Sequence, residues 1–252
     1  MTIDAPNVEQ TAWLRRLWKE AFGDSDAFLD RFFTIAYSPD RCRCVTADGR
    51  VTAALYWFDC DCQGEKLAYL YAVATAQDCR GRGLCRMLME DTHAHLKTLG
   101  YAGTILVPAT DSLRRMYGKM DYQSGTAVTE FSCPAGEAEL PVKVLDGPEY
   151  TRRRLEMLPT GAVNQAGPLT DLLADQCGLF GGEDFLLAAW IEDGVLHAEE
   201  LLGNRNTAPG IVKTLGAERG GFRGPGEDKE FAMYRPLTDR CPKPGYFGIA
   251  FG

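Results

Sequence analysis

Val73-Ala-Thr-Ala-Gln-Asp-Cys-Arg80-Gly81-Arg82-Gly83-Leu84-Cys85-Arg86 is the stretch on which the reading of this chain turns. Before it, Leu67 to Thr75 is nearly all apolar, as a central buried strand is. After it, Leu84, Leu88, Leu96 and Leu99 recur along one helical face, with Met87 and Met89 beside them, and Gly100 is placed to stop the helix. A buried strand thus runs through a glycine turn into a helix. The first N–H groups of a helix have no internal partners and lie at the positive end of its dipole. Glycines let the chain come close to a bulky anion, so such a turn cradles a pyrophosphate. Arg80, Arg82 and Arg86 add positive charge. No Gly-Lys-Ser/Thr follows, which excludes a Walker loop, and Arg86 stands where a dinucleotide fingerprint has its third glycine. On these residues alone, a glycine pair that simply turns the chain stays open.

The flanking segments give the turn a frame. Trp13, Leu14, Leu17, Trp18 and Phe22 predict one helix, stopped by Gly23, and Phe28, Leu29, Phe32 and Phe33 a second, capped by Asp24 or Ser25. Cys42 to Ala47 and Val51 to Cys62 read as strands, joined by turns at Asp48-Gly49 and Gln63-Gly64-Glu65. Downstream come a short strand, Thr104 to Val107, a helix from Asp111 to about Lys119, and a strand, Tyr122 to Ser132. The stretch from Cys133 to Tyr150 carries Pro134, Pro141 and Pro148 with Gly136 and Gly147, and places a boundary near residues 135 and 136. In the 136–252 region, a helix over Leu169 to Cys177, a hairpin of Phe185 to Ile191 with Val195 to Leu202, a helix from Ile211 and a strand at Phe231 to Arg235 echo the order of the first half. A diverged second copy is one reading of that echo. Its glycine-rich stretch, Gly220 to Gly226, leads into a strand and not into a helix, so no second anion cradle is expected there.

Composition narrows the class. The chain has 252 residues, 45% apolar and 25% charged, as globular proteins do. No apolar run reaches the roughly 20 residues a membrane span needs, and Met1 to Asn7 has no signal-peptide pattern, so a cytoplasmic location is expected. The net charge of −8 argues against a nucleic-acid partner and leaves the oligomeric state open. Among nine cysteines, Cys42 with Cys44 and Cys60 with Cys62 share strand faces. A four-thiolate zinc site is the sharper reading of these pairs; apolar filler in a reduced cytosol is the plainer one, and no metal is assigned.

Arg80-x-x-Gly83-x-Cys85, entered from a strand ending Val-Ala-Thr, resembles the Arg/Gln-x-x-Gly-x-Gly/Ala signature of the GNAT N-acetyltransferase superfamily. Downstream, Ser112-Leu-Arg-Arg-Met-Tyr117-Gly-Lys-Met-Asp-Tyr122 is similar to that family's helix with a catalytic tyrosine and the Gly-aromatic pair after it. The resemblance covers roughly residues 8 to 132. Cys85 replaces the usual Gly or Ala, Asp121 the usual Gly, and Gln77 a common Pro. It implies a mixed α/β fold, with a central mixed sheet flanked by helices in a catalytic domain over 1–135. A second, smaller α+β lobe over 136–252 is similar in size and order to the degenerate second domain of some acetyltransferases.

The resemblance further implies acetyl-CoA as cosubstrate and a small-molecule or peptide amine as acceptor. It places the cofactor along Tyr71, Ala72, Val73 and Ala74, on the turn formed by Arg80, Gly81, Arg82, Gly83, Leu84 and Cys85, and against Val107 on the neighbouring strand. Tyr117 falls at the position of the catalytic tyrosine, which gives its proton to the leaving thiolate. A backbone N–H near Val73 would polarise the thioester carbonyl. Glu65, Asp59, Glu130 and the carboxylate of Gly252 are candidates for the general base, while His93 and His95, two apart on a helix, read as surface residues. A sensor that binds acetyl-CoA without turnover is the alternative, and transfer from aminoacyl-tRNA is disfavoured by the acidic balance.

Overall fold

The chain opens, in a computed structural model that describes residues 1–251, with strand β1 (Thr2–Asp4) and helices α1 (Thr11–Phe22) and α2 (Asp26–Ile35). Gly23 ends α1 at a left-handed φ of 76°, and the Ser25 hydroxyl accepts from the Phe28 N–H to start α2. Leu14, Leu17 and Trp18 of α1 and Leu29 and Phe32 of α2 are buried, with the rings of Trp18 and Phe32 4.5 Å apart. Next come β2 (Cys42–Ala47), β3 (Arg50–Cys62), β4 (Glu65–Thr75), α3 (Leu84–Thr98), β5 (Gly103–Leu106) and α4 (Asp111–Gly118). Strands β2, β3 and β4 form an antiparallel meander, and α3 crosses from β4 to the parallel β5.

The remaining elements are β6 (Gln123–Ser124), β7 (Ala127–Pro134), β8 (Lys143–Val144), α5 (Gly147–Met157), β9 (Asn164–Gln165), α6 (Pro168–Gln176) and β10 (Gly178–Gly181). They continue with β11 (Phe185–Glu192), β12 (Val195–Gly203), α7 (Ala208–Thr214), β13 (Arg219–Pro225), β14 (Lys229–Glu230) and β15 (Met233–Pro236). Both sheets are mixed and flanked by helices. The first runs β1-β2-β3-β4-β5-β15, and the second β14-β7-β13-β12-β11-β10-β8. Among the described residues no helix is long and apolar enough to cross a membrane.

The first compact unit holds Met1–Leu106, Arg115–Tyr122 and Tyr234–Pro242, and the second holds Val107–Arg114, Gln123–Met233 and the residues from Lys243 onward. The division therefore does not fall at residues 135 and 136. Strand β7 belongs to the second sheet because its ladder partner is β13, from Arg219 opposite Pro134 to Pro225 opposite Val128. The Tyr234–Pro242 stretch returns to the first unit. Strand pairing between segments far apart in the chain, which no local composition signals, sets both boundaries.

Within the second unit the antiparallel pair β11–β12, the crossover helix α7 and the parallel strand β13 repeat the order β3–β4–α3–β5. The repeat does not extend to an anion cradle. Helix α7 has only 7 residues and carries a proline in its first turn, Pro209, which has no N–H to offer. Gly220, Gly221 and Gly224 lie inside β13, where a Cβ on Gly224 would sit 2.5 Å from the Leu201 carbonyl oxygen.

The cysteine pairs do not meet either. Cys42 lies opposite Tyr56 and Cys44 opposite Ala54, whereas Cys60 and Cys62 sit farther along β3, opposite Leu67 and Glu65. The register thus separates the four thiols that a zinc site would have to gather.

A buried polar network fixes the last part of the second unit. Arg154 on α5 and Glu200 on β12 form an ion pair with side chains 1% and 0% exposed, Nε to Oε2 2.6 Å. Glu200 also accepts from the hydroxyls of Tyr150 at 3.2 Å and Tyr246 at 3.0 Å. Gln165 accepts from Arg154 and from the backbone N–H groups of Gly248 and Ile249. Glu199, paired with Arg223, accepts from the N–H of Ala250 at 3.1 Å. Removing one partner of a buried pair leaves an uncompensated charge. Arg154→Met is therefore expected to lower the stability of the folded chain by about 3–5 kcal/mol in urea unfolding. A loss below about 1 kcal/mol would show that the pair is dispensable.

Candidate functional site

Strand β4 builds the site by leaving its neighbour. The parallel ladder to β5 runs from Leu67 opposite Gly103 to Tyr69 opposite Ile105, while β4 continues against β3 as far as Thr75 opposite Ala53. Since β3 and β5 are the strands flanking β4 in this sheet, its edge over Ala72 to Ala74 has no ladder on the β5 side among the described residues. Opposite the single residue Leu55 stand both Ala72 and Val73, between the pairs Tyr56–Tyr71 and Ala54–Ala74. This is a β-bulge, and Ala72 takes φ of 48°, a left-handed conformation uncommon for a residue with a side chain. Tyr71, Ala72 and Val73 are half-buried and Ala74 is buried. Val107 follows directly on β5, half-buried, and is grouped with the second unit.

The turn after β4 is anchored from several sides. Gln77 gives its N–H to the carboxylate of Glu20, which uses the donor a proline there would lack. Asp78 pairs with Arg50, and Arg80 Nε donates to the Thr75 carbonyl at 3.1 Å. Gly81 and Gly83 take φ of 74° and 79°, which admit glycine without strain, and added Cβ atoms would meet nothing within 4 Å. Gly83 is the N-cap of α3, no side chain caps that end, and no acidic residue lies in its first turn. Arg80, Gly81, Arg82 and Gly83 are exposed, and Leu84 and Cys85 half-buried. The result is an uncapped helix N-terminus behind an open glycine turn lined with arginines. Burial pushes the Cys85 thiol above its ordinary pKa, so it behaves here as a small neutral side chain.

Tyr117 closes α4 and is 6% exposed. Its hydroxyl makes no hydrogen bond to a described protein group, and it is not one of the buried polar atoms left without a partner, so the oxygen is open to solvent. Burial raises its pKa, with Cys85 a lesser cause, so it is a neutral O–H donor. Arg86 Nη2 donates to the Lys119 carbonyl at 3.1 Å, tying the first turn of α3 to the end of α4. Tyr122 lies beside Tyr117, ring centroids 5.7 Å apart at 60°. Unlike Tyr117, Tyr122 is fully committed, 2.8 Å from Nε2 of His93 and 2.8 Å from Oγ1 of Thr104.

His93 is not a surface residue. It is 5% exposed, on the buried face of α3 with Leu88, Met89, Thr92 and Leu96, while Met87 and Leu99 are the exposed ones. Its spacing from Met89 and Leu96 already placed it on that face; pairing it with His95 obscured this. Arg235 of β15 reaches its Nδ1 at 2.8 Å. Burial, and then the charge of Arg235, hold His93 down to a pKa of about 3. Asp121, where a glycine was expected, has φ of 64°, so the position does favour glycine; its carboxylate lies 3.4 Å from Arg235.

The carboxylates proposed from sequence as bases lie elsewhere. Asp59 pairs with Ala68 on β3, about 16 Å along the strand from Val73. It is held by Arg41 at 2.9 Å, by the Tyr101 hydroxyl and by Lys66 at 3.8 Å. Glu65 starts β4, at its far end, with Arg240 at 3.8 Å. Glu130 is on β7 of the second unit, bonded to Lys229 at 2.6 Å. Gly252 lies outside the described residues.

Residues 4–125 match the sequence profile of the acetyltransferase (GNAT) domain, and this part of the chain is a GNAT acetyltransferase domain. No curated protein sequence matches the chain. Solved structures do. The chain is similar to a GCN5-related N-acetyltransferase from Kribbella flavida, with 18% identity and a TM-score of 0.72 over 94% of this chain and 72% of that one. For a GCN5-related N-acetyltransferase from Anabaena variabilis the values are 15%, 0.70, 94% and 72%. For one from Sphaerobacter thermophilus they are 11%, 0.56, 97% and 96%. At these identities the likeness establishes the fold, and it extends over both units.

The neutrality of His93 has a pH signature. Between pH 6.5 and about 3 the unfolded chain binds a proton at this side chain that the native chain does not, so stability falls as pH falls through that window. From pH 6.5 to 5, above most carboxylate titration, the parent is expected to lose roughly 1.5 kcal/mol more than His93→Gln in urea unfolding. Equal losses would mean that His93 is protonated in the native state.

Proposed function

We propose that this chain transfers an acetyl group from acetyl-CoA to a primary amine by direct attack in a ternary complex. The observation that carries the reading is the hydroxyl of Tyr117. Its ring is buried while its oxygen, bonded to no described protein group, stays open at the surface, so the O–H is available to a ligand. Tyr122, only one ring away, shows that this interior can satisfy a phenol fully.

The residues suit acetyl-CoA. The open turn at Gly81 and Gly83, the uncapped start of α3 and the guanidinium groups of Arg80 and Arg82 fit a pyrophosphate. The edge of β4 over Ala72 to Ala74, which has no ladder to β5 among the described residues, offers backbone N–H and C=O groups to amides of a pantetheine arm, as an added strand would. When bound, acetyl-CoA supplies an activated acyl group. Around it, a backbone N–H at the bulge of Ala72 and Val73 would polarise the thioester oxygen, Tyr117 would donate its proton to the departing sulfur, and the proton lost by the attacking amine would leave through solvent. The acceptor is an amine on a small molecule or a peptide, attacking in its neutral form.

Acetyl-CoA at a hundredfold excess over its Kd is expected to stabilise the chain by about 2.7 kcal/mol, read as a rise in melting temperature. Gly83→Glu puts a negative side chain at the cradle and should abolish that ligand-induced rise, whatever its effect on the apo melting point. No rise for the parent at millimolar acetyl-CoA would contradict the reading. Tyr117→Phe keeps the ring and removes the hydroxyl. With any amine that the parent acetylates, it is expected to lower the single-turnover rate by about 10²-fold, the lower end for general acid catalysis, while leaving acetyl-CoA affinity nearly unchanged. An unchanged rate would make Tyr117 a packing residue; binding without transfer to any amine would favour a sensor.

A further inference from the structure

A hydroxyl that is kept free for a ligand cannot orient its own ring through hydrogen bonds; neighbours must do so. Tyr117 has one close aromatic neighbour, Tyr122, which also binds it through the backbone: the Tyr122 N–H donates to the Tyr117 carbonyl at 3.2 Å. What holds Tyr122 therefore holds Tyr117. Resting on the reading of Tyr117 given above, we propose that His93 and Arg235 are positioning residues for acyl transfer, acting through Tyr122.

The chemistry of the groups fixes the direction of the chain. A guanidinium has donors only, so Arg235 Nη1 donates to His93 Nδ1 at 2.8 Å and that nitrogen must accept. The imidazole is then neutral, with its proton on Nε2, and donates to the Tyr122 hydroxyl at 2.8 Å. The Tyr122 hydroxyl shares a second hydrogen bond with Thr104 Oγ1, also at 2.8 Å, in which either oxygen can donate. The four side chains come from β15, α3, the turn after α4, and β5. Three of them are nearly or wholly inaccessible: His93 at 5%, Tyr122 at 3% and Thr104 at 0%. Asp121 lies 3.4 Å from the guanidinium and restrains its far end. The ring of Tyr122 is thus pinned at its hydroxyl by two buried partners, and Tyr117 rests against that ring.

His93→Phe keeps a ring of similar size and breaks the chain; Tyr122→Phe removes the pinned hydroxyl alone. Misplacement of a catalytic group by about 1 Å can cost on the order of 10²-fold, and loosening of one ring less. Each variant is therefore expected to lower the single-turnover transfer rate by about tenfold, with the Kd for acetyl-CoA changed less than about threefold. In the Tyr117→Phe background, His93→Phe should have no further effect, because nothing remains to be positioned. An equal loss in that background would reveal a general structural role and overturn the inference. So would an unchanged rate for His93→Phe while Tyr117→Phe is slow. If Tyr117→Phe itself is as fast as the parent, the assignment of Tyr117 has failed and this inference fails with it. Nitrogen-15 NMR of the parent at pH 7 gives a check independent of any variant's folding. An Nε2–H tautomer at His93 is expected, and a proton on Nδ1 would overturn the inference.

Discussion

The parting of β4 from β5 beyond the pair Tyr69–Ile105 is the constraint on which the rest of the site depends. Two parallel strands that stayed together would satisfy each other's backbone groups and leave nothing for a ligand. Here β4 keeps β3 on one side to Thr75 and carries a bulge at Ala72 and Val73. The same parting sends the chain through Gly81 and Gly83 into α3, so the free strand edge and the uncapped helix end lie on one continuous segment. A long cofactor with amides at one end and phosphates at the other finds both kinds of partner in order along that segment. The strain at Ala72 and the empty space around the two glycines are local costs of keeping it open.

A second constraint concerns how polar groups are spent. Around Tyr122 every partner is assigned, from Arg235 through His93 to Thr104, and the neutral histidine is a consequence of burial and of the arginine beside it. Next to this saturated chain stands Tyr117, whose hydroxyl bonds to no described protein group and stays open to solvent. The contrast separates two tyrosines that similar burial would otherwise make equivalent: one hydroxyl has two protein partners and the other has none among the described residues. In the second unit Glu200 likewise receives Arg154, Tyr150 and Tyr246 together.

Much of this was legible in the sequence, because the decisive signals are local. The apolar run to Thr75, the glycine pair and the leucine spacing after it yield strand, turn and helix in the positions observed. The hairpin Phe185–Glu192 with Val195–Gly203 follows equally from alternation around a glycine turn. What escaped depends on pairing across the chain. Nothing near Ala127–Pro134 says that its partner is β13, and nothing near Tyr234 says that the chain returns to the first unit. Asp59 looks like a free acid until the fold brings Arg41 and Tyr101 to it. His93 is the instructive miss, since its helical face was readable from Met89 and Leu96, but its arginine partner lies 142 residues along the chain.

On the function proposed above, the edge of β4 over Ala72 to Ala74, the turn at Gly81 and Gly83, and the hydroxyl of Tyr117 serve one ligand. The most direct measurement is a crystal structure of the chain with a thioether analogue of acetyl-CoA. The expected result is the pyrophosphate at the start of α3, the pantetheine amides paired to β4 at Ala72 to Ala74, and the Tyr117 hydroxyl within hydrogen-bond reach of the sulfur, about 3–3.5 Å. An analogue bound elsewhere, or bound here with its sulfur out of reach of Tyr117 and that hydroxyl still without a partner, would contradict it.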